Sequence, residues 1–454
     1  MTGDGPAALI LEAMPATTST HARTRRRGLG ALVATVVALA AGLGAGALAA
    51  WPGSPGTHDG PAVEAATAPS PATEASSPVV TPSPTEPAEP EPVRFTLVAA
   101  GDVLTHGPVN RSAASGDSYD FSPLLEGFAP YVEGADLALC HLEVPIAPEG
   151  VALSGYPLFA GAPELVRDLA GMGWDGCSTA SNHTVDQRFA GLTATLDALD
   201  AEGLQHAGSA RTEEEAARVA MYEVSDGDQQ VTVAQISFTY GLNGLPMPEG
   251  RPWAVNVFDA DAADARPIID AAQEARDAGA DIVLASVHCC VEYRTAPTDA
   301  QRAIATQIAE SGLVDLYIGH HAHVPQPIEL LPGGPSGDGM WTAFGLGNFL
   351  SNQDDHCCVA ETSSGVLLSA TFELFPGEAP AVDVGWTGVT VDRVSGHRLH
   401  ALADIADGVG ALTADEVAAR HARVADAVGG DAPEVTEPVA ALAEAVTAVP
   451  RVES

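Results

Sequence analysis

From about residue 94 to residue 400 the chain alternates short apolar runs with amphipathic stretches, and most of the runs end in polar text. The runs at 95–100, 135–140, 174–179, 231–237, 281–287 and 313–318 read as buried strands, and 341–346 and 365–373 as further ones. Helical signals lie between them. A helix over about 163–170 carries Pro163 in its first turn, and one over 187–201 is followed by Gly203 as a C-cap. A third, over 264–278, is ended by Gly279. Thr212-Glu213-Glu214-Glu215 and Thr298-Asp299-Ala300-Gln301 are capping boxes, each opening a helix, and the second of these helices stops at Gly312. Strands alternating with helices predict an α/β layered fold, with the later strands closing a second sheet. After about residue 398 the text turns Ala-rich, and Thr413 to Glu416 caps one more helix ending near Gly429.

The first ninety-three residues follow a different pattern. Arg23, Arg25, Arg26 and Arg27 precede an uncharged stretch, 28–50, long enough at about 1.5 Å per residue to cross a bilayer core of about 30 Å. Cytoplasmic arginines would leave everything after it outside the cell. The alternative is a secretion signal cleaved near Ala47-Leu48-Ala49, with Arg25-Arg26 weakly resembling a twin-arginine export signal. Both readings imply export. Residues 52–93 hold 11 of the 34 prolines and cannot bury apolar surface, so they are expected to form a disordered, extended tether. The expected organisation is thus a cytoplasmic segment (1–27), a single-pass membrane anchor (28–50), a linker (51–93), an extracytoplasmic domain (94–400) and an acidic helical tail (401–454).

Composition narrows the function. Lys+Arg number 20 against 60 Asp+Glu, for a net charge of −40, and there is no lysine at all. Nucleic acid is therefore excluded as the main partner, because phosphate contacts need clustered cations. A hydrophobic content of 46% is sufficient for a sizeable core.

The chemistry collects at the strand ends. Asp102, Glu143, Asn182, His183, His288, His321 and His323 each stand at or just after the end of an apolar run, the edge where open α/β sheets gather ligands. Carboxylates, an amide oxygen and imidazoles without thiolate suit Mn, Fe or Zn. A carboxylate can bridge two such ions, and His321-x-His323 can reach one with each ring. His183 is instead a candidate general acid, with Asp186 orienting its ring. Tyr240, Asn243, Glu292 and Arg294 are candidates to line a substrate cleft. Of six cysteines, the doublets Cys289-Cys290 and Cys357-Cys358 flank two of these loops, and a disulfide between the doublets is expected, with thiolate ligation of a soft metal as its rival. Cys140 and Cys177 read as buried small hydrophobes, and His206 and His356 as surface residues.

In order, these motifs resemble the calcineurin-like metallophosphoesterase superfamily, and more closely its CapA branch, which is associated with poly-γ-glutamate capsule synthesis. The resemblance is carried by Gly101-Asp102-Val103, His141-Leu142-Glu143, Ser181-Asn182-His183-Thr184-Val185-Asp186 and 237–243. It continues through 288–293, Gly319-His320-His321-Ala322-His323 and 345–349, spanning about 94–375. It implies a four-layer αββα sandwich with two divalent transition metal ions at the sheet ends. It further implies a hydrolase or transferase acting on a cell-envelope polymer or its phosphorylated precursor, with a membrane-bound polymer synthase complex as partner. Three departures weaken two-metal phosphatase chemistry. Leu104 stands where the superfamily has the histidine of Asp-x-His, Glu143 replaces Asp (a change the CapA branch shares), and Cys289-Cys290 replace Trp-Gly. A non-catalytic envelope assembly factor using the same site is the alternative.

Overall fold

The computed structural model describes residues 91–451. The expected anchor, and all but the end of the linker, lie outside the described residues. Among the described residues no helix is long and apolar enough to cross a membrane.

Two mixed sheets form the body. The first runs, in spatial order, Arg398–Ala401, Ala381–Asp392, Ser364–Leu374, Val93–Val103, Leu137–Leu142, Gly176–Ser178 and Gln205–Ala207, with Asn348–Leu350 also paired to Val93–Val103. The second runs Ile328–Leu331, Met340–Ala343, Leu316–His320, Ile282–His288, Gln229–Thr239, Ala220–Asp226 and Ala445–Val449. In strands, alternate residues face opposite sides, and the cores follow that rule. Leu97 and Ala99 pack with Leu284, Leu316 and Ile318 in an apolar layer between the sheets. Val98 and Ala100 face the other way, onto a core shared with Leu165, Leu169, Leu192 and Leu196 from the helices Glu164–Gly171 and Arg188–Ala201. Val283, Ala285 and Val287 likewise meet Ile268, Ile304 and Ile308 from Arg266–Asp277 and Asp299–Ser311. The layers therefore read helix, sheet, sheet, helix.

The strands and helices expected from periodicity occur within a few residues of their anticipated limits. Thr212, Thr298 and Thr413 each accept the backbone N–H three residues on, as their capping boxes require. The allocation of strands differs from expectation. The middle of the chain makes the second sheet, and the strands between 364 and 401 return to the first, because Ser364–Leu374 pairs antiparallel along Val93–Val103. Apolar runs announce strands but not their partners.

The C-terminal region is also more than a helical tail. After the helix Ala414–Val428, the strand Ala445–Val449 pairs with Ala220–Asp226 as an edge of the second sheet. Arg451 follows it into the interior and donates to the carbonyls of His206, Ser209, Glu215 and Arg218. His206, expected on the surface, is buried beside it and contacts Asp200 and Glu215. Its position opposite Cys177 in a short parallel strand is what takes it inside. Arg451→Met should leave those carbonyls without a donor and cost roughly 2–4 kcal/mol. Arg266→Met, which alters a side chain 81% exposed, should stay within about 0.5 kcal/mol of wild type. Denaturant unfolding of the two variants checks this.

Candidate metal centre

Parallel pairing brings the strand ends of both sheets to one edge. Asp102 lies opposite His141 in the first sheet, and His288 opposite His320 and Thr239 in the second. The layered packing then sets the two groups face to face. Asp102, Glu143, His141 and His288 are completely buried, and His320, His321, His323 and Asn182 nearly so.

Asp102 Oδ2 and His323 Nδ1 approach to 2.9 Å, yet neither is aligned to hydrogen-bond the other. Both oxygens of Glu143 and the Nδ1 atoms of His320 and His321 are likewise buried without partners. Buried polar atoms are almost always satisfied, so a cluster of unsatisfied acceptors turned toward shared space is the signature of a cation site. The donors form two groups. Asp102, Glu143 and His323 make one, with Glu292 Oε1 3.8 Å from His323 Nε2. Asn182 Oδ1 and His288 Nε2, 2.9 Å apart, make the other, with the His321 ring 4.7 Å from that of His288. Glu143 Oε1 stands between them, 3.7 Å from His323 Nε2 and 4.0 Å from His288 Nε2. This donor set fits divalent transition metals, and Glu143 is placed to serve both groups.

The electrostatics agree. Burial pushes Asp102 upward, but His320 and His323 outweigh it and hold the carboxyl well below its usual range. Burial carries Glu143 well above its usual range, and the charges of Asp102 and Glu292 add to the rise. His323 resists burial because Glu143, Asp102 and Glu292 surround it, which lifts it to about 10, whereas burial depresses His321 to about 3. Among the described residues, four of the seven non-glycine positions with positive φ border this region: Asn243, Tyr293, His321 and His323. Such conformations cost about 1–3 kcal/mol each and persist where the surroundings impose them.

A cavity of about 1050 Å³ opens onto the cluster. His183, Tyr240, Asn243 and Glu292 line it, as does His106. His183 Nδ1 lies 2.7 Å from Asp186 Oδ2, which also accepts the Phe159 backbone N–H. The ring is thereby fixed with Nε2 toward the cavity, and the Asn243 amide lies 3.4 Å from that atom. Arg294 does not join this group: its side chain is exposed and outside the cavity lining. Leu104 is buried, and His106 bonds through Nδ1 to the Leu104 carbonyl rather than reaching the carboxylates. Sequence reasoning missed His141 and His320 as members of the cluster. The signal was present for His141, which stands two positions before Glu143 in a period-two strand.

The cysteines depart from expectation. Cys140 bonds to Cys177, and Cys289 to Cys290, while Cys357 and Cys358 remain free at the cavity rim with sulfurs 2.6 Å apart. Cys140 and Cys177 are register partners on adjacent parallel strands with Cα atoms 4.4 Å apart, a relation that their separation in sequence conceals.

Residues 96–353, more than half of the chain, match the family model described as bacterial capsule synthesis protein PGA_cap. The chain belongs to this family. It is 30% identical over 191 residues to the PGA biosynthesis protein CapA of Bacillus subtilis, covering 42% of this chain and 46% of that one. The chain thus spans about half the length of that relative. It is 27% identical over 283 residues to a probable polyglutamine synthesis accessory protein of Mycobacterium tuberculosis, covering 57% and 72% respectively. Among solved structures, the calcineurin-like phosphoesterase YfkN of Bacillus subtilis aligns with a TM-score of 0.33 at 12% identity, over 64% of this chain and 90% of that one. The PGA_cap match ends at Gln353, so it contains every donor of the cluster.

A metal must displace protons from the raised Glu143 and His323, so apparent affinity should climb with pH up to about 10. Glu143→Gln should abolish binding yet leave the metal-free chain at least as stable as wild type, since no hydrogen bond is lost and the cost of a buried carboxylate is relieved. Added Mn²⁺ or Zn²⁺ at a hundredfold its Kd should stabilise only the wild type, by about 2.7 kcal/mol. Thermal unfolding with and without metal reads both effects.

Proposed function

We propose that this PGA_cap protein is an exported, membrane-tethered, metal-dependent hydrolase or transferase acting in capsule synthesis. Its substrate would be a poly-γ-glutamate-type envelope polymer or a phosphorylated precursor. The observation carrying this reading is the pair of donor groups sharing Glu143 beside a cavity that presents His183. The names of the two relatives support the polymer class, and the arginines before the uncharged 28–50 stretch support the tether.

Bound at Asp102, Glu143, Asn182, His288, His321 and His323, two Mn, Fe or Zn ions would supply Lewis acidity to the bond under attack. The rest falls to the chain. His183 presents Nε2 to the cavity and holds the proton for a leaving group, and Asp186 keeps that ring in place through Nδ1. Asn243 positions Asn182 by accepting from its amide at 3.0 Å, and Tyr240 packs on His321 at 4.6 Å.

A second reading, a non-catalytic assembly factor that binds polymer or a synthase complex at this site, is favoured by Leu104, whose side chain offers no ligand to the Asp102 group. The two readings separate cleanly. Elemental analysis of the purified chain should find about two transition metal ions, with loss in His288→Ala and Asp102→Ala. His183→Asn should keep the metal and lose about 10²–10⁴-fold in turnover on phosphoester or γ-glutamyl substrates. Capsule formation that survives in a strain carrying Asp102→Ala would replace the enzyme with the assembly factor.

A further inference from the structure

His288 is held by more than its position at a strand end. Its Nδ1 lies 2.9 Å from His141 Nε2, and His141 Nδ1 lies 2.7 Å from Ser178 Oγ. Ser178 Oγ in turn reaches the Cys140 carbonyl at 3.4 Å. On the other side of the His288 ring, Nε2 faces Asn182 Oδ1, whose amide nitrogen is committed to Asn243. All the side chains between Asn182 and Ser178 are buried, so water does not compete for these bonds.

We propose that His141 is a positioning residue that fixes His288 as a metal ligand through this relay; the proposal rests on the metal-centre reading above. For His288 Nε2 to offer its lone pair beside Asn182 Oδ1, the ring proton must sit on Nδ1 and find an acceptor. His141 Nε2 is that acceptor. It is free to accept only if His141 carries its own proton on Nδ1, donated to Ser178 Oγ, whose hydroxyl hydrogen then goes to the Cys140 carbonyl. Every donor and acceptor in the line is used once, and none is left over. The partner that fixes a ligating histidine is usually a carboxylate or a carbonyl. A neutral imidazole does the same here without adding a third buried charge beside Asp102 and Glu143.

The fold shows why the line is straight. His141 and Ser178 are register partners on adjacent parallel strands, one step beyond the bonded pair Cys140 and Cys177. The disulfide lies on the opposite face and prevents the slip of one residue that would turn Ser178 away. From the second sheet, the His320 ring stacks on His141 at 3.9 Å, so the imidazole cannot swing out of line.

The test compares His141→Phe, which keeps the bulk and the stack but cannot accept a hydrogen bond, with His141→Gln, whose amide oxygen can. In the full chain, His141→Phe should bind Mn²⁺ or Zn²⁺ about 10–100-fold more weakly. The number of ions and the imidazole count by X-ray absorption should stay unchanged, while the metal-free chain should still unfold cooperatively at a lowered midpoint because His288 Nδ1 and Ser178 Oγ lose a partner. His141→Gln should recover most of the affinity. If the phenyl ring prevents folding, Ser178→Ala carries the same test and should weaken binding in the same direction. Wild-type affinity in His141→Phe overturns the role while leaving the metal centre standing. Loss of one imidazole together with one ion makes His141 a ligand and also overturns it. A wild-type chain that takes up no transition metal overturns the metal centre itself, and the role with it.

Discussion

Two carboxylates buried side by side, with imidazoles as their only ion-pair partners among the described residues, impose the constraint on which this structure turns. Ionised carboxylates in an apolar interior are expensive, and a pair of them more so. Arginine is the usual remedy, but none of the described arginines pairs with either carboxylate. Proton sharing gives partial relief: His323 is driven up to about 10 while Glu143 is pushed toward its neutral form. Complete relief needs positive charge at a point that several donors can reach together, and the atoms left without partners mark such a point. A metal centre is therefore the state in which the energetics of this edge balance.

The layered fold makes that arrangement possible. Strands that pair in parallel end together, so Asp102, His141 and Glu143 arrive from one sheet and His288, His320, His321 and His323 from the other. The apolar layer between the sheets, from Leu97 to Ile318, holds the two edges in register with each other. The distances in the cluster follow from sheet packing rather than from loop chance, although the last histidines need positive φ to turn inward. The return of the strands between 364 and 401 to the first sheet has the same effect. Asn348 is brought parallel to Asp102, and the strand carrying that aspartate is enclosed on both sides.

Much of this was legible in the residues. Apolar runs ending in polar text located the strands, and the ends of those runs named six of the donors together with His183. Periodicity was silent on pairing, because hydrogen-bond partners distant in sequence leave no local trace. The assignment of late strands to a second sheet failed at 365–373 for that reason, though 341–346 does join that sheet, and the reading of 401–454 as a helical tail missed the strand Ala445–Val449. His206, Cys140 and Cys177 were misread from the same cause, since each gains its partner across a strand pair. His141 is the instructive omission. Its alternation with Glu143 was visible, but a histidine inside a strand is more often core than ligand, and only the 2.9 Å contact with His288 distinguishes the two.

Leu104 bears on the chemistry most directly. An imidazole at this position would give the Asp102 group one more donor, and this chain buries an aliphatic side chain there instead. The remaining donors are not symmetric in consequence. The His288 group is braced by Asn182, His141 and Ser178, whereas the Asp102 group has His323, the shared Glu143 and a half-exposed Glu292. Binding at a braced position loses less freedom than binding at a loose one, so a cation beside His288 would be held more tightly than one beside Asp102. Of the two groups, the Asp102 one meets the cavity only through Glu292, whereas Asn182 and His321 of the other line it directly. The two donor groups thus differ both in bracing and in access to the cavity.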